Sequence, residues 1–84
     1  MKVWISKYAL SGGIFEMEVN EPRVYSHTEL ISDPDNPLRY FHGDGNEWHR
    51  TQEGAFIRAE QMRLEKLRSL EKQITKLMSL KFHA

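Results

Sequence analysis

Apolar and polar residues alternate along the first part of the chain and recur at helical spacing along the rest. Lys2 to Ala9 reads as a strand, with Val3 and Ile5 on one face and Trp4, Ser6 and Tyr8 on the other. Ser11-Gly12-Gly13 ends it. Ile14 to Val19 is a second strand, in which Phe15, Met17 and Val19 alternate with Glu16 and Glu18, the pattern of a sheet wet on one side. The two are expected to form a hairpin. Pro22 interrupts, Arg23-Val24-Tyr25-Ser26 reads as a short third strand, and Ser32-Asp33-Pro34-Asp35-Asn36-Pro37 reads as a loop that no helix or central strand could contain. Gly43-Asp44-Gly45-Asn46 is rich in residues that tolerate positive φ. It predicts a tight turn across which Leu38-Arg39-Tyr40-Phe41-His42 faces Glu47-Trp48-His49. Four or five short antiparallel strands follow, as a meander or small open barrel.

From Thr51 onward the period changes. Thr51 is a good N-cap and Glu53 places a negative charge in the first turn, although Gly54 stands where a capping box needs an acid. Phe56, Ala59, Leu67, Leu70, Ile74, Leu77 and Met78 fall within about a third of the helical circumference, interrupted by Arg63 and Lys81. Arg58, Gln61, Glu65, Arg68, Ser69, Lys72, Lys76 and Ser79 fall opposite. A helix from Gln52 to about Leu80 is roughly 44 Å long, whereas strands of five or six residues reach only about 17 to 20 Å. The sheet should therefore cover the first half and leave the rest overhanging.

The overhang keeps its apolar face. Leu67, Leu70, Ile74 and Leu77 are spaced 3, 4 and 3 apart, the spacing of a helix-helix seam, though over barely two heptads. Several arrangements would cover it: a helix that bends back or a sheet larger than expected, either of which makes the stripe ordinary core, a homodimer, or a foreign protein.

Composition narrows the class. With 84 residues, 39% of them apolar and 29% charged, the chain is expected to form a single α+β domain over 1–84, its sheet part at 1–50 and its long helix at 51–82. The absence of cysteine excludes disulfides, thiol catalysis and thiolate zinc sites, and fits a reducing compartment. No apolar run is long enough to span a membrane and the start lacks a signal-peptide core, so the expected setting is the cytoplasm, with no membrane partner.

The formal net charge of zero conceals a division. Residues 1–49 carry four basic and eight acidic groups, a net −4, and residues 50–84 carry eight basic and four acidic, a net +4. Arg68, Lys72 and Lys76 stack at four-residue intervals, an arrangement that costs a few tenths of a kcal/mol per pair unless an anion meets it. Nucleic acid, or the acidic half of a dimer mate, would serve. The rings of Trp4, Tyr8, Phe15, Tyr25, Tyr40, Phe41 and Trp48 could form a stacking platform for RNA, but in a domain this small they are first read as core. Glu16, Glu18 and Glu21 would also repel phosphates there.

Candidate chemistry is sparse. His27, His42, His49 and His83 lack the spacing of a zinc finger or zincin, although His42 and His49 could face each other across the turn with Asp44 nearby. Gly43-Asp44-Gly45-Asn46-Glu47-Trp48 has Trp where a dinucleotide loop needs its third Gly, and lacks the later ligands of a calcium loop. Ser26-His27-Thr28-Glu29 has the atoms of a triad, but strand neighbours point to opposite faces. No catalytic residue, cofactor, metal or small-molecule substrate is expected.

At Tyr40-Phe41-His42-Gly43, Trp48-His49-Arg50-Thr51 and the helix from Leu67 to Leu80, the chain resembles small uncharacterised proteins carried by bacteriophages and integrated elements. The resemblance covers the second half and brings no functional residues with it. It implies an accessory protein that binds a host protein or an anionic surface. The expected function is protein-protein interaction through Leu67, Leu70, Ile74 and Leu77, with nucleic-acid binding through Arg68, Lys72 and Lys76 as the alternative.

Overall fold

Alternation in the first strand puts Val3 and Ile5 fully inside and leaves Trp4 half-buried, and the same alternation in the second turns Met17 inward between exposed Glu16 and Glu18. These strands, β1 (Lys2–Ile5) and β2 (Phe15–Glu18), pair antiparallel with Val3 opposite Met17. The computed structural model describes residues 1–82. The architecture is α+β: two three-stranded antiparallel sheets followed by one long helix.

The first strand is shorter than its pattern suggests. It stops at Ile5, and Ala9–Gly12 forms a single helical turn, α1, closed by Gly13 at φ 77°. Ser6 N–H donates to Glu47 O at 3.0 Å, so the chain leaves the β1–β2 ladder while still bonded on its other edge. The hairpin expected between the first two strands therefore has a wide connection.

β3 (Arg23–Tyr25), β4 (Thr28–Asp33) and β5 (Asn36–His42) form the second sheet with β4 at its centre. β4 was not expected. Its inward Ile31 and outward Leu30 are adjacent apolar residues that blur the alternation, and its end lies in the segment read as loop. That segment contracts to a turn at Pro34–Asp35, with Asp33 opposite Asn36 and the register shifted beside it. Ser26 and His27 join β3 to β4 with positive φ at both residues, the conformation of a two-residue hairpin turn.

The turn after β5 does not close a hairpin. β5 pairs with β4, whereas β6 (Trp48–His49) pairs with β1, so Gly43–Glu47 carries the chain from one sheet to the other. Gly43 and Gly45 take φ of 82° and 86°, Asn46 N–H donates to Gly43 O, and the Glu47 carboxylate accepts from His42 N–H at 2.7 Å. The core lies between the sheets: Val3, Ile5, Val19, Ile31, Phe41 and Trp48, flanked by Phe15 and Met17. Trp48 Nε1 donates to Glu29 O at 3.1 Å, and Gly43 N–H donates to the same carbonyl, tying β4 to the switch. Of the seven aromatics read as core, Phe41 and Trp48 are buried and Trp4 and Phe15 half-buried. Tyr8, Tyr25 and Tyr40 are exposed.

The long helix, α2, spans Gln52–Met78, about 40 Å at 1.5 Å per residue. Thr51 caps it as expected, its Oγ1 accepting from Gly54 N–H at 3.0 Å, with Glu53 in the first turn. Only its start touches the body, against α1, β1 and β6. Ala55 is buried and Gly54, Arg58, Ala59 and Met62 are half-buried, so Arg58 faces the body rather than the outer surface assigned to it from periodicity. Phe56 is 55% exposed and does not join the core.

Removing the cap in Thr51→Ala should cost about 1 kcal/mol in denaturant titration. Gly54→Ala should fail to give the gain of about 1 kcal/mol normal for a helix interior, because its Cβ would meet Thr51 Oγ1 at 3.0 Å. A raised midpoint for Gly54→Ala would contradict this packing.

Candidate functional site

Beyond Met62 every described residue of the helix is exposed. The body ends there, and the helix continues outward into a molecule 61 Å long and about 25 Å across. The first half of α2 is thus only partly covered and the second half not at all. A helix bending back onto a larger sheet does not occur.

Leu67, Leu70, Ile74 and Leu77 all lie on this uncovered stretch, with exposures of 47, 39, 55 and 67%. They share one face. At about 100° per residue that face points roughly 90° away from the side on which Ala55, Arg58, Ala59 and Met62 meet the body. It therefore runs beside the body rather than beneath it. Toward the body the seam continues as Glu60 and Arg63, which pair with each other, and then as Phe56. Leu64 and Met78 flank it and are exposed as well.

Arg68, Lys72 and Lys76 are exposed on the side of the helix opposite the seam. None of the ion pairs formed among the described residues involves them. Glu71 and Thr75 lie beside the row on the same surface. The seam and the basic row are therefore separate faces that could be occupied together.

The histidines do not converge. His42 is exposed on β5, while His49 is buried on β6 with its Nε2 2.7 Å from Ser6 Oγ, so the two do not face each other across the turn. His27 sits exposed in the β3–β4 turn, and His83 lies outside the described residues. Among the described residues no group of three metal-ligating side chains lies together.

The Ser6–His49 contact, which spacing in the sequence did not disclose, is nevertheless the closest approach to a nucleophile and base. Ser6 Oγ lies 3.0 Å from Asn46 O and 2.7 Å from His49 Nε2, and its single hydroxyl proton can serve only one of them, the choice depending on the His49 tautomer. Ser6 is also fully buried. The pair is a clasp between β1, the 43–47 turn and β6, and it holds the residues that lead into the helix.

Burial holds the His49 ring below its ordinary value of 6.5, Arg58 adds to that depression, and Asp44 and the Asn46 backbone oppose it. Arg50 next to it is held as a cation, mainly by its hydrogen bond to Glu29 at 2.9 Å, and also pairs with Asp44 and lies over the Trp48 ring.

Above pH 6.5 His49 is neutral in both folded and unfolded chains, so its contribution to stability is complete there. Below 6.5 the unfolded chain binds a proton that the folded chain resists, and stability falls until the folded ring is itself protonated. The expected loss from this group is at most about 1.4 kcal/mol per pH unit. Urea midpoints from pH 8 to 5 check this, and His49→Gln should flatten the decline.

No family model matches the chain, and neither the curated proteins nor the solved structures compared with it include a similar one.

Proposed function

We propose that this chain is a non-catalytic protein-interaction module that works through the free face of its long helix, with Leu67, Leu70, Ile74 and Leu77 as the contact residues. What supports the reading is one observation: an apolar seam at coiled-coil spacing stands entirely clear of the body. Fully burying a Leu or Ile is worth about 1.5 to 3 kcal/mol, and these four start half-covered, so each has on the order of 1 kcal/mol to gain. A protein surface is the natural cover. The resemblance to phage and mobile-element proteins makes the protein an accessory factor in a host cytoplasm, and its partner either a second copy or a host protein. Among the described residues no helix is long and apolar enough to cross a membrane.

Replacing Leu70 and Ile74 together by Lys should abolish assembly without lowering the thermal stability of the body, since neither residue touches it. Light scattering behind a sizing column, over a concentration series, reads the result. Unchanged mass together with unchanged partner binding would end the proposal.

Nucleic-acid binding through Arg68, Lys72 and Lys76 is the second reading, favoured by a basic row that is exposed and without ion-pair partners among the described residues. It predicts a gel shift at low ionic strength that disappears steeply with salt, and that is lost when the three are changed to Gln.

A further inference from the structure

We infer that the seam is covered by a second copy of this chain, as a parallel, in-register, two-stranded coiled coil over about residues 64–80. This rests on the interaction-module reading and adds the partner and its orientation.

Leu67 and Ile74 stand at a positions, Leu70 and Leu77 at d. Of the two a positions Ile74 supplies the β-branched residue that, with Leu at d, favours two parallel strands, and Leu67 does not. In that register Lys66 falls at g and Glu71 at the following e, flanking the seam on opposite sides. Across a parallel pair each g residue meets the next e residue of the other helix, so Lys66 meets Glu71 of the partner subunit, and two-fold symmetry makes the contact twice. Within its own chain Lys66 has no acidic residue three or four positions away in either direction, only Met62, Arg63, Ser69 and Leu70. Both residues are exposed and free of ion pairs among the described residues. Lys66 therefore finds an acidic partner only between copies, whereas Glu71 also has Arg68 three positions before it on its own helix.

The antiparallel alternative spends them badly. Stacking the same four layers head to tail places Glu71 against Glu71 of the partner subunit and Lys66 against the partner subunit's Leu80, a repulsion with no compensating ion pair. The body does not obstruct the parallel pair, because it lies roughly a quarter turn from the seam. At its body end the seam closes on Glu60 and Arg63, which are already paired with each other, and the two helices separate there.

The full-length chain tests this directly. Lys66→Glu and Glu71→Lys should each weaken dimerisation about tenfold by sedimentation equilibrium, and the double exchange should restore it to within about threefold of the original. The chain has no cysteine, so Gln52→Cys and Ser79→Cys can each be spin-labelled uniquely. A parallel pair gives short distances at both sites, within about 30 Å, whereas an antiparallel pair separates the Gln52 labels by about 60 Å. Single reversals without effect, or a long Gln52 distance in a dimer, overturn the parallel arrangement while leaving the interaction module standing. A chain that stays monomeric at every concentration but binds another protein through Leu70 and Ile74 overturns the self-pairing alone. A chain that does neither overturns both.

Discussion

Trp48 sets the geometry on which everything after it depends. Its ring fills the space between two small sheets, its Nε1–H is fixed to the Glu29 carbonyl, and Arg50 lies over its outer surface. His49 follows and is clasped to Ser6. Two residues later Thr51 caps the helix, so no slack remains between the anchor and the first helical turn. The rotation of the whole helix is therefore fixed at its root. Ala55, Arg58, Ala59 and Met62 are the residues that this rotation turns inward, and Leu67, Leu70, Ile74 and Leu77 are carried to the side. A body formed by short strands cannot follow a 40 Å helix, and so the free seam follows from the anchor and the length together.

That dependence explains why the pattern along the chain revealed some parts and hid others. The helix, its Thr51 cap and the overhang were legible because helical period, capping chemistry and length are local or arithmetic properties. β1 and β2 were legible from alternation and β3 from its place after Pro22, and the fold class from their order. β4 was hidden by Leu30 and Ile31 standing side by side on opposite faces. The sheet switch was hidden for a different reason. Gly43–Asn46 has the chemistry of a tight turn and forms one, but whether the flanking strands pair with each other or with distant partners is decided by where Trp48 is buried, which is a long-range matter.

The side of the helix that meets the body was misread for a third reason. Hydrophobicity singles out the largest apolar residues, and those define the seam. The root packs instead with Gly54, Ala55 and Ala59, small residues that allow close approach, and with Arg58, whose aliphatic stem can lie against the body. Spacing thus placed Phe56 on one face with Leu67, Leu70, Ile74 and Leu77, but the sheet does not cover that face at its start, and Arg58 turns to the body instead of the outer surface. The Ser6–His49 clasp, formed across 43 positions, left no trace in the spacing of either residue.

The helix also separates two kinds of force. Apolar burial along Leu67, Leu70, Ile74 and Leu77 is non-directional and would be satisfied by either orientation of a partner helix. Direction comes from the charges at its margins, and Lys66 and Glu71 are complementary in only one of the two. In the proposed parallel pair the basic rows, lying opposite the seam, would face outward on both sides of the coil, and the two acidic bodies would sit together at one end. Each chain has a formal net charge of zero, yet such an assembly would be polarised along its length. The basic row and the seam lie on opposite sides of the helix, so self-pairing and anion binding are compatible rather than rivals for one surface.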